Sequence, residues 1–338
     1  EHYITRNRSE YFKMFYSAAG GGVIIALMAL NKIHIASLGF GEFTTSFLAG
    51  LNYGLGFMLI HMLHCTVATK QPAMTAASFA EQVDSNEGSK AVDNKLAKLL
   101  IDVCRSQSVA VFGNVSIAVL LAAGIAWGYA YTHGQPLLNE AVTAYQLKSI
   151  EIFTQPTLWY AAIAGVWLFC SGIIAGFFDN RSDYLNLRQR LPFNPFLRKI
   201  MRPQPRRRLA AYIHKHYGSL MGNFIFGMLL GMTGYFGHLF GLPLDIRHVA
   251  FSSANLGYAA ISGHADIFTF MLGLVSVLAI GMVNLVVSFS LALAVALRSR
   301  GTRLGSMRNL LKSFWSQVKA NPLILLYPVQ VNNKENTK

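Results

Sequence analysis

Six stretches of this sequence contain no Asp, Glu, Lys or Arg: residues 15–30, 43–69, 109–131, 157–178, 218–240 and 267–297. Only 13% of the 338 residues are charged and 53% are hydrophobic. A water-soluble domain carries about a quarter charged residues, so that class is excluded. Cysteine is nearly absent. Cys65, Cys104 and Cys170 match no CxxC or zinc spacing, which excludes a disulfide framework. Cys65 and Cys170 fall in apolar runs, where thiols pack as small hydrophobes. Also missing, in any strand–turn–helix setting, are the phosphate loop, the HExxH and GxSxG motifs and the GxGxxG fingerprint. No cofactor, no metal and no catalytic residue is therefore expected.

What is present is length in the right places. A helix needs about 20 apolar residues to cross a bilayer. The charge-free runs predict an all-α protein with six transmembrane helices, forming one transmembrane domain over 1–338. Run 267–297 is longer than a bilayer needs and is expected to tilt or protrude. Asp93 to Arg105 places Leu96, Leu99, Leu100 and Val103 on one helical stripe, an amphipathic lead into the third span. A second amphipathic piece falls near Met307 to Val318.

Lys and Arg are divided unevenly among the links. The arm before the first span holds 3, the second-to-third link 5, loop 179–217 holds 10 and tail 298–338 holds 8. The alternate links hold one each: Lys32, Lys148 and Arg247. By the positive-inside rule this predicts both termini in the cytoplasm of a bacterial inner membrane, with Asp245 to His248 outside. In loop 179–217, Pro192, Pro195, Pro203 and Pro205 are expected to break any long helix. Arg206, Arg207 and Arg208 are expected to meet anionic lipid headgroups. Basic residues interleaved with Tyr184, Phe193 and Phe196 would also suit nucleic acid, but the alternation of charge with topology makes nucleic acid the weaker reading.

The chain is organised around Gly218 to Ser262. Gly218 and Gly222, Gly227 and Gly231, and Gly237 and Gly241 recur at the spacing that lets membrane helices approach closely. These faces could pack within the chain or form a homo-oligomer. Leu242-Pro243 then stops the span, and Val249 to Ser262 is uncharged but too short to cross. We expect it to fold back toward the membrane and line a site. Candidate ligand-binding residues there are Ser252, Ser253, Asn255, Asp245, Arg247 and His248; the alternative is a helix lying on the outer surface. A similar Pro stop and small-residue segment, Pro72 to Ala80, follows the second span. The six spans therefore suggest a 3+3 inverted repeat.

Other polar groups lie in the spans. His61, His64 and Cys65 fall at i, i+3 and i+4, which would place them on one helix face. That suits a metal or proton site, or plain hydrogen bonds between helices. His238, His248 and His264, with Asp245 and Asp266, could gather near the outer face. Asn223 and Asn284 are expected to bond across helices.

In GNFIFGMLLGMTGYFGHLFGLPLDIRHVAFSSANLGYA, SAAGGGVIIALMALNKI and NYGLGFMLIHMLHCTVATKQPAMTAASFA, the chain resembles a bacterial membrane-protein family. That family is the site-specific recombinase family of the gonococcal crossover recombinase type. The resemblance implies a longer protein, with a largely helical region ahead of this part, and by its name DNA strand exchange. Tyrosine recombinases use an Arg, a His-x-x-Arg and a nucleophilic Tyr, and no His-x-x-Arg occurs in this sequence. No catalytic residue carries over. The residues favour a membrane protein that moves or binds a small solute or lipid. The rival is an assembly module that uses its basic loops to bind partners.

Overall fold

The computed structural model describes residues 7–68, 89–300, 307–325 and 327. Among them there is no strand, and six helices are long and apolar enough to cross a membrane. They are α1 (Arg8–Ser37), α2 (Glu42–Met62), α3 (Ser89–His133), α5 (Thr157–Tyr184), α8 (Pro203–Phe240) and α10 (Ile267–Ser299). Shorter helices join them: α4 (Glu140–Ile150), α6 (Leu187–Arg190), α7 (Pro195–Ile200), α9 (Val249–Ser262) and α11 (Met307–Ala320). The end of the bundle where α1 begins is the basic end.

The helices run past their apolar stretches because the backbone ladder does not stop where charge begins. Asn7 caps α1, its side chain accepting from the Glu10 N–H at 2.9 Å. That helix continues to Ser37, so Lys32 lies within it and not in a link. The amphipathic stripe and the third span form one continuous helix, α3. Around Pro192 and Pro195 the link forms only short helices, but Pro203 and Pro205 open a long one. They stand at the first helical positions of α8, where a missing N–H costs nothing. Arg206 to Arg208 consequently lie on the first turns of a long helix. Gly241 ends α8 in the left-handed conformation, φ 62°.

The second span departs most from expectation. Helix α2 stops at Met62, and His64 turns left-handed at φ 55°. Residues 65–67 then run without helix. His61, His64 and Cys65 do not share a helix face. The Pro72 to Ala80 segment lies outside the described residues.

Glycine brings two of the long helices into backbone contact. A side chain on Gly227 would fall on the backbone of Gly54, and one on Gly231 on the backbone of Gly50. Helices α2 and α8 therefore cross antiparallel, backbone to backbone. Gly218 and Gly222 meet α5 at Ala175, Asp179 and Ser171. These faces are occupied inside the chain. In a bilayer such packing replaces the hydrophobic drive that water would supply.

The central glycine crossing yields a direct check. Gly227→Leu should cost stability at or above the top of the ~1–3 kcal/mol typical of overpacking, seen as lost folded yield and a lower melting temperature in detergent. Gly124→Leu, where a side chain meets open space, should behave like wild type. Equal behaviour of the two variants would refute the crossing.

Candidate functional site

The site is built by a hairpin that enters the bundle from the end opposite the basic one. After Gly241 the chain runs without helix through His248. It then turns back as α9, in which twelve of the fourteen residues are buried. Small residues make this fit: Gly257 meets the α3 backbone at Val119, Leu256 packs on Gly273, and Val249 packs on Gly281. The Tyr258 hydroxyl donates to the Ala26 carbonyl at 3.0 Å.

One side chain holds the point of reversal. The Asn284 Oδ1 accepts from the Val249 N–H at 3.0 Å. Its amide donates to the carbonyls of Ala161 (2.7 Å) and Arg247 (3.0 Å). Asn284 sits about 25 Å along α10 from Ile267, at 1.5 Å per residue. The reversal is therefore deep, and the 14 residues of α9 return about 21 Å. Val249 to Ser262 thus packs inside the bundle, and Asn255 stands partway along that return.

The same arrangement occurs a second time, at the end of α2. The Asn114 Oδ1 accepts from the Ala68 N–H at 2.8 Å. Its amide donates to the carbonyls of Ala18 and of Thr66, the latter at 3.0 Å. The backbone agrees: Thr66 N–H donates to Ser17 at 3.0 Å, and Arg247 N–H donates to Tyr160 at 3.2 Å. Added side chains on Gly22 and Gly165 would meet Asn114 and Ile117 in one place, Asn284 and Val287 in the other. The bonds of Asn114 to α1 and to the backbone after α2 thus resemble those of Asn284 to α5 and to the backbone before α9.

Two cavities flank this framework. At the basic end a space of about 530 Å³ is lined by Phe57, His61, Thr66, Asp179, Asn223 and Ser299, among others. At the opposite end a space of about 440 Å³ is lined by Lys32, Tyr53, Tyr145, Asp245, Arg247 and His248, among others. Aromatic rings form the wall between them. Tyr53 lies 4.2 Å from Phe251, Phe57 5.1 Å from Phe226, and His248 5.8 Å from Phe226, centroid to centroid. Phe57 faces the first cavity; Tyr53, His248 and Phe251 face the second.

Of the candidate residues, Asp245, Arg247, His248, Ser252 and Asn255 line the second cavity together. Ser253 does not; its hydroxyl is spent on the Ala250 carbonyl at 2.6 Å. His61 lines the first cavity and lies 3.1 Å from His216 of α8, ring nitrogen to ring nitrogen. His64 offers its carbonyl to Ser17. The outer histidines do not gather. His238 is exposed against Glu42 at 3.4 Å, His248 is buried among the rings, and His264 lines a separate hollow beside Trp127. Among the described residues no group of three or more His, Cys, Asp or Glu could hold a metal ion. Asp266 is the cap of α10, accepting from the Thr269 N–H at 3.0 Å; the Thr269 hydroxyl first, and then that N–H, hold its carboxyl below the ordinary value.

Arg247 ties the second cavity together. Its guanidinium donates to Asp245 (2.7 Å), to the Ser149 carbonyl (2.6 Å) and to the Ile246 carbonyl (2.7 Å). It also lies 5.3 Å from the centre of the Tyr160 ring. Burial, and next the Asp245 carboxylate, push the Tyr145 phenol above its ordinary value; Arg247 opposes them. Lys32, Tyr145, Gln146 and Ser149 escaped the sequence reading, because α4 and the last turns of α1 fell in assumed links. The matching place of Asn114 and Asn284 in the third span of each half was the available signal.

A family model described as Site-specific recombinase matches residues 1–328. No curated protein and no solved structure matches.

Each asparagine bridges three backbone groups, which sets an expected cost. Asp in place of Asn offers no N–H donor and adds an unpaired charge. Asn114→Asp and Asn284→Asp should each lose about 3 kcal/mol or more, read as a melting temperature well below wild type in detergent. A wild-type melting temperature for either variant would contradict the bridging role.

Proposed function

This chain belongs to the site-specific recombinase family, and we propose that it is a membrane protein that binds a small solute and moves it between the two cavities. The observation that carries this reading is the pair of cavities, similar in size, one toward each end, with a shared wall of aromatic rings. The doubled asparagine arrangement supports it. Two halves of three spans each, matched helix for helix, run in opposite directions, as in transporters built from inverted repeats. In such folds one half rocks against the other around a site near the midplane, and opening one side closes the other. The glycine crossing between α2 and α8 lies on the line where the halves meet. A backbone contact there can slide without long side chains to disengage.

In this reading the basic end faces the cytoplasm of a bacterial inner membrane, because Lys and Arg of short loops stay on that side. Arg206 to Arg208 then lie among anionic headgroups. Strand exchange on DNA draws no support from the residues: no His-x-x-Arg occurs in the sequence. The glycine faces of Gly218, Gly222, Gly227 and Gly231 are used within the chain, so an assembly module would have to use others, such as Gly124 and Gly128, which meet open space.

Thiol labelling tests this. Ser252 is small, buried and on the wall of the second cavity. With Cys65, Cys104 and Cys170 replaced by Ser, a Ser252→Cys protein in oriented vesicles should react with a small charged thiosulfonate from either side. Labelling from one side only, or from neither, would favour the assembly module and defeat solute movement.

A further inference from the structure

We propose that the cavity at the end opposite the basic one is an anion site, with the Lys32 ammonium as the group that receives the anion's charge. This rests on the solute-binding reading of the same cavity and names the class of solute. The cavity is lined by two basic side chains, Lys32 and Arg247, and by one acidic side chain, Asp245. Both Asp245 oxygens are engaged. Oδ2 accepts from Arg247 at 2.7 Å, and Oδ1 accepts from the Ile246 N–H at 2.7 Å. Arg247 is engaged as well, on Asp245 and on the carbonyls of Ser149 and Ile246. Lys32 makes no hydrogen bond or ion pair among the described residues, although Asp245 and Arg247 are both within its electrostatic reach.

An ammonium removed from water demands a partner. Lysines near a helix end commonly meet that demand by reaching out to the membrane surface. Lys32 instead borders an interior space, and its neighbours suit a ligand. Tyr53, Tyr145 and Tyr160 line the space with hydroxyls and aromatic walls, and Gln146 and Asn255 add amides. Arg247 already shows a cation against one of these rings. The first turn of α9, through His248, Phe251 and Ser252, borders the same space; the start of a helix favours negative charge. A volume of about 440 Å³ falls in the range for small-molecule sites and is too small for a two-chain lipid. A small carboxylate or phosphate, with room for an apolar or aromatic body, satisfies each of these groups.

The test uses the full chain purified in detergent, with benzoate and inorganic phosphate as probes. Benzamide and benzylamine serve as neutral and cationic counterparts of nearly the same shape. At least one anion should raise the melting temperature in a saturable way, while benzamide and benzylamine leave it unchanged. Lys32→Met should weaken that anion about tenfold or more, and Lys32→Arg should retain it. The melting temperature of each variant without ligand checks that it folds. Equal stabilisation by benzylamine, undiminished binding in Lys32→Met, or no shift with either anion would overturn the proposal. Anion binding in a protein whose Ser252→Cys labels from one side only would sustain this site and defeat solute movement. Two-sided labelling without anion binding would do the reverse.

Discussion

Non-helical backbone at depth in a membrane must find its hydrogen bonds within the protein, since lipid offers none. The chain meets this constraint with two asparagines. Where α9 begins, Asn284 serves the Val249 N–H and the Arg247 and Ala161 carbonyls. Where α2 has ended, Asn114 serves the Ala68 N–H and the Thr66 and Ala18 carbonyls. An amide suits the task because it both donates and accepts without charge. With these backbone groups satisfied, the chain can leave helix near the aromatic wall and create concave, polar surface there. Both cavities depend on that: Thr66 lines one, Arg247 and His248 the other.

Small residues carry the rest. Gly50, Gly54, Gly227 and Gly231 bring α2 and α8 together, and Gly257, Gly273 and Gly281 admit α9 between its neighbours. The wall uses large rings. Phe57, Phe226 and His248 are buried where the cavities approach each other. The division of labour is consistent with two packed halves that meet at a thin, smooth crossing and enclose a gate of rings.

Much of this fold is legible in the residues. Freedom from charge is a local property, and each of the six charge-free runs lies largely within one of the six long helices. The glycine spacing in α8 likewise marks a close approach before any partner is known. Partners are another matter. Nothing local says that Gly227 meets Gly54, or that Asn114 reaches Ala18, because those contacts join distant parts of the chain. Lys32 was misplaced for a related reason: charge marks the end of an apolar run, but a helix continues through a lysine. For His61 and His64 only the shared helix face is lost. Their spacing assumes a helix, but α2 stops at Met62 and His64 has a left-handed backbone. In the second cavity, Asp245, Arg247 and His248 stand out as polar residues between two uncharged runs. Tyr145 and Ser149 come from α4, whose burial against α9 is a tertiary fact.

The central claim is that two matched halves open one cavity as they close the other. Pulsed spin-label distances address it most directly. One pair, Thr45 and Ser149, would span the cavity opposite the basic end; the other, Thr66 and Ser299, one from each half, would span the cavity at the basic end. The account predicts two distance populations for each pair, with conditions that lengthen one pair shortening the other. A single, unresponsive distance for both pairs would contradict it.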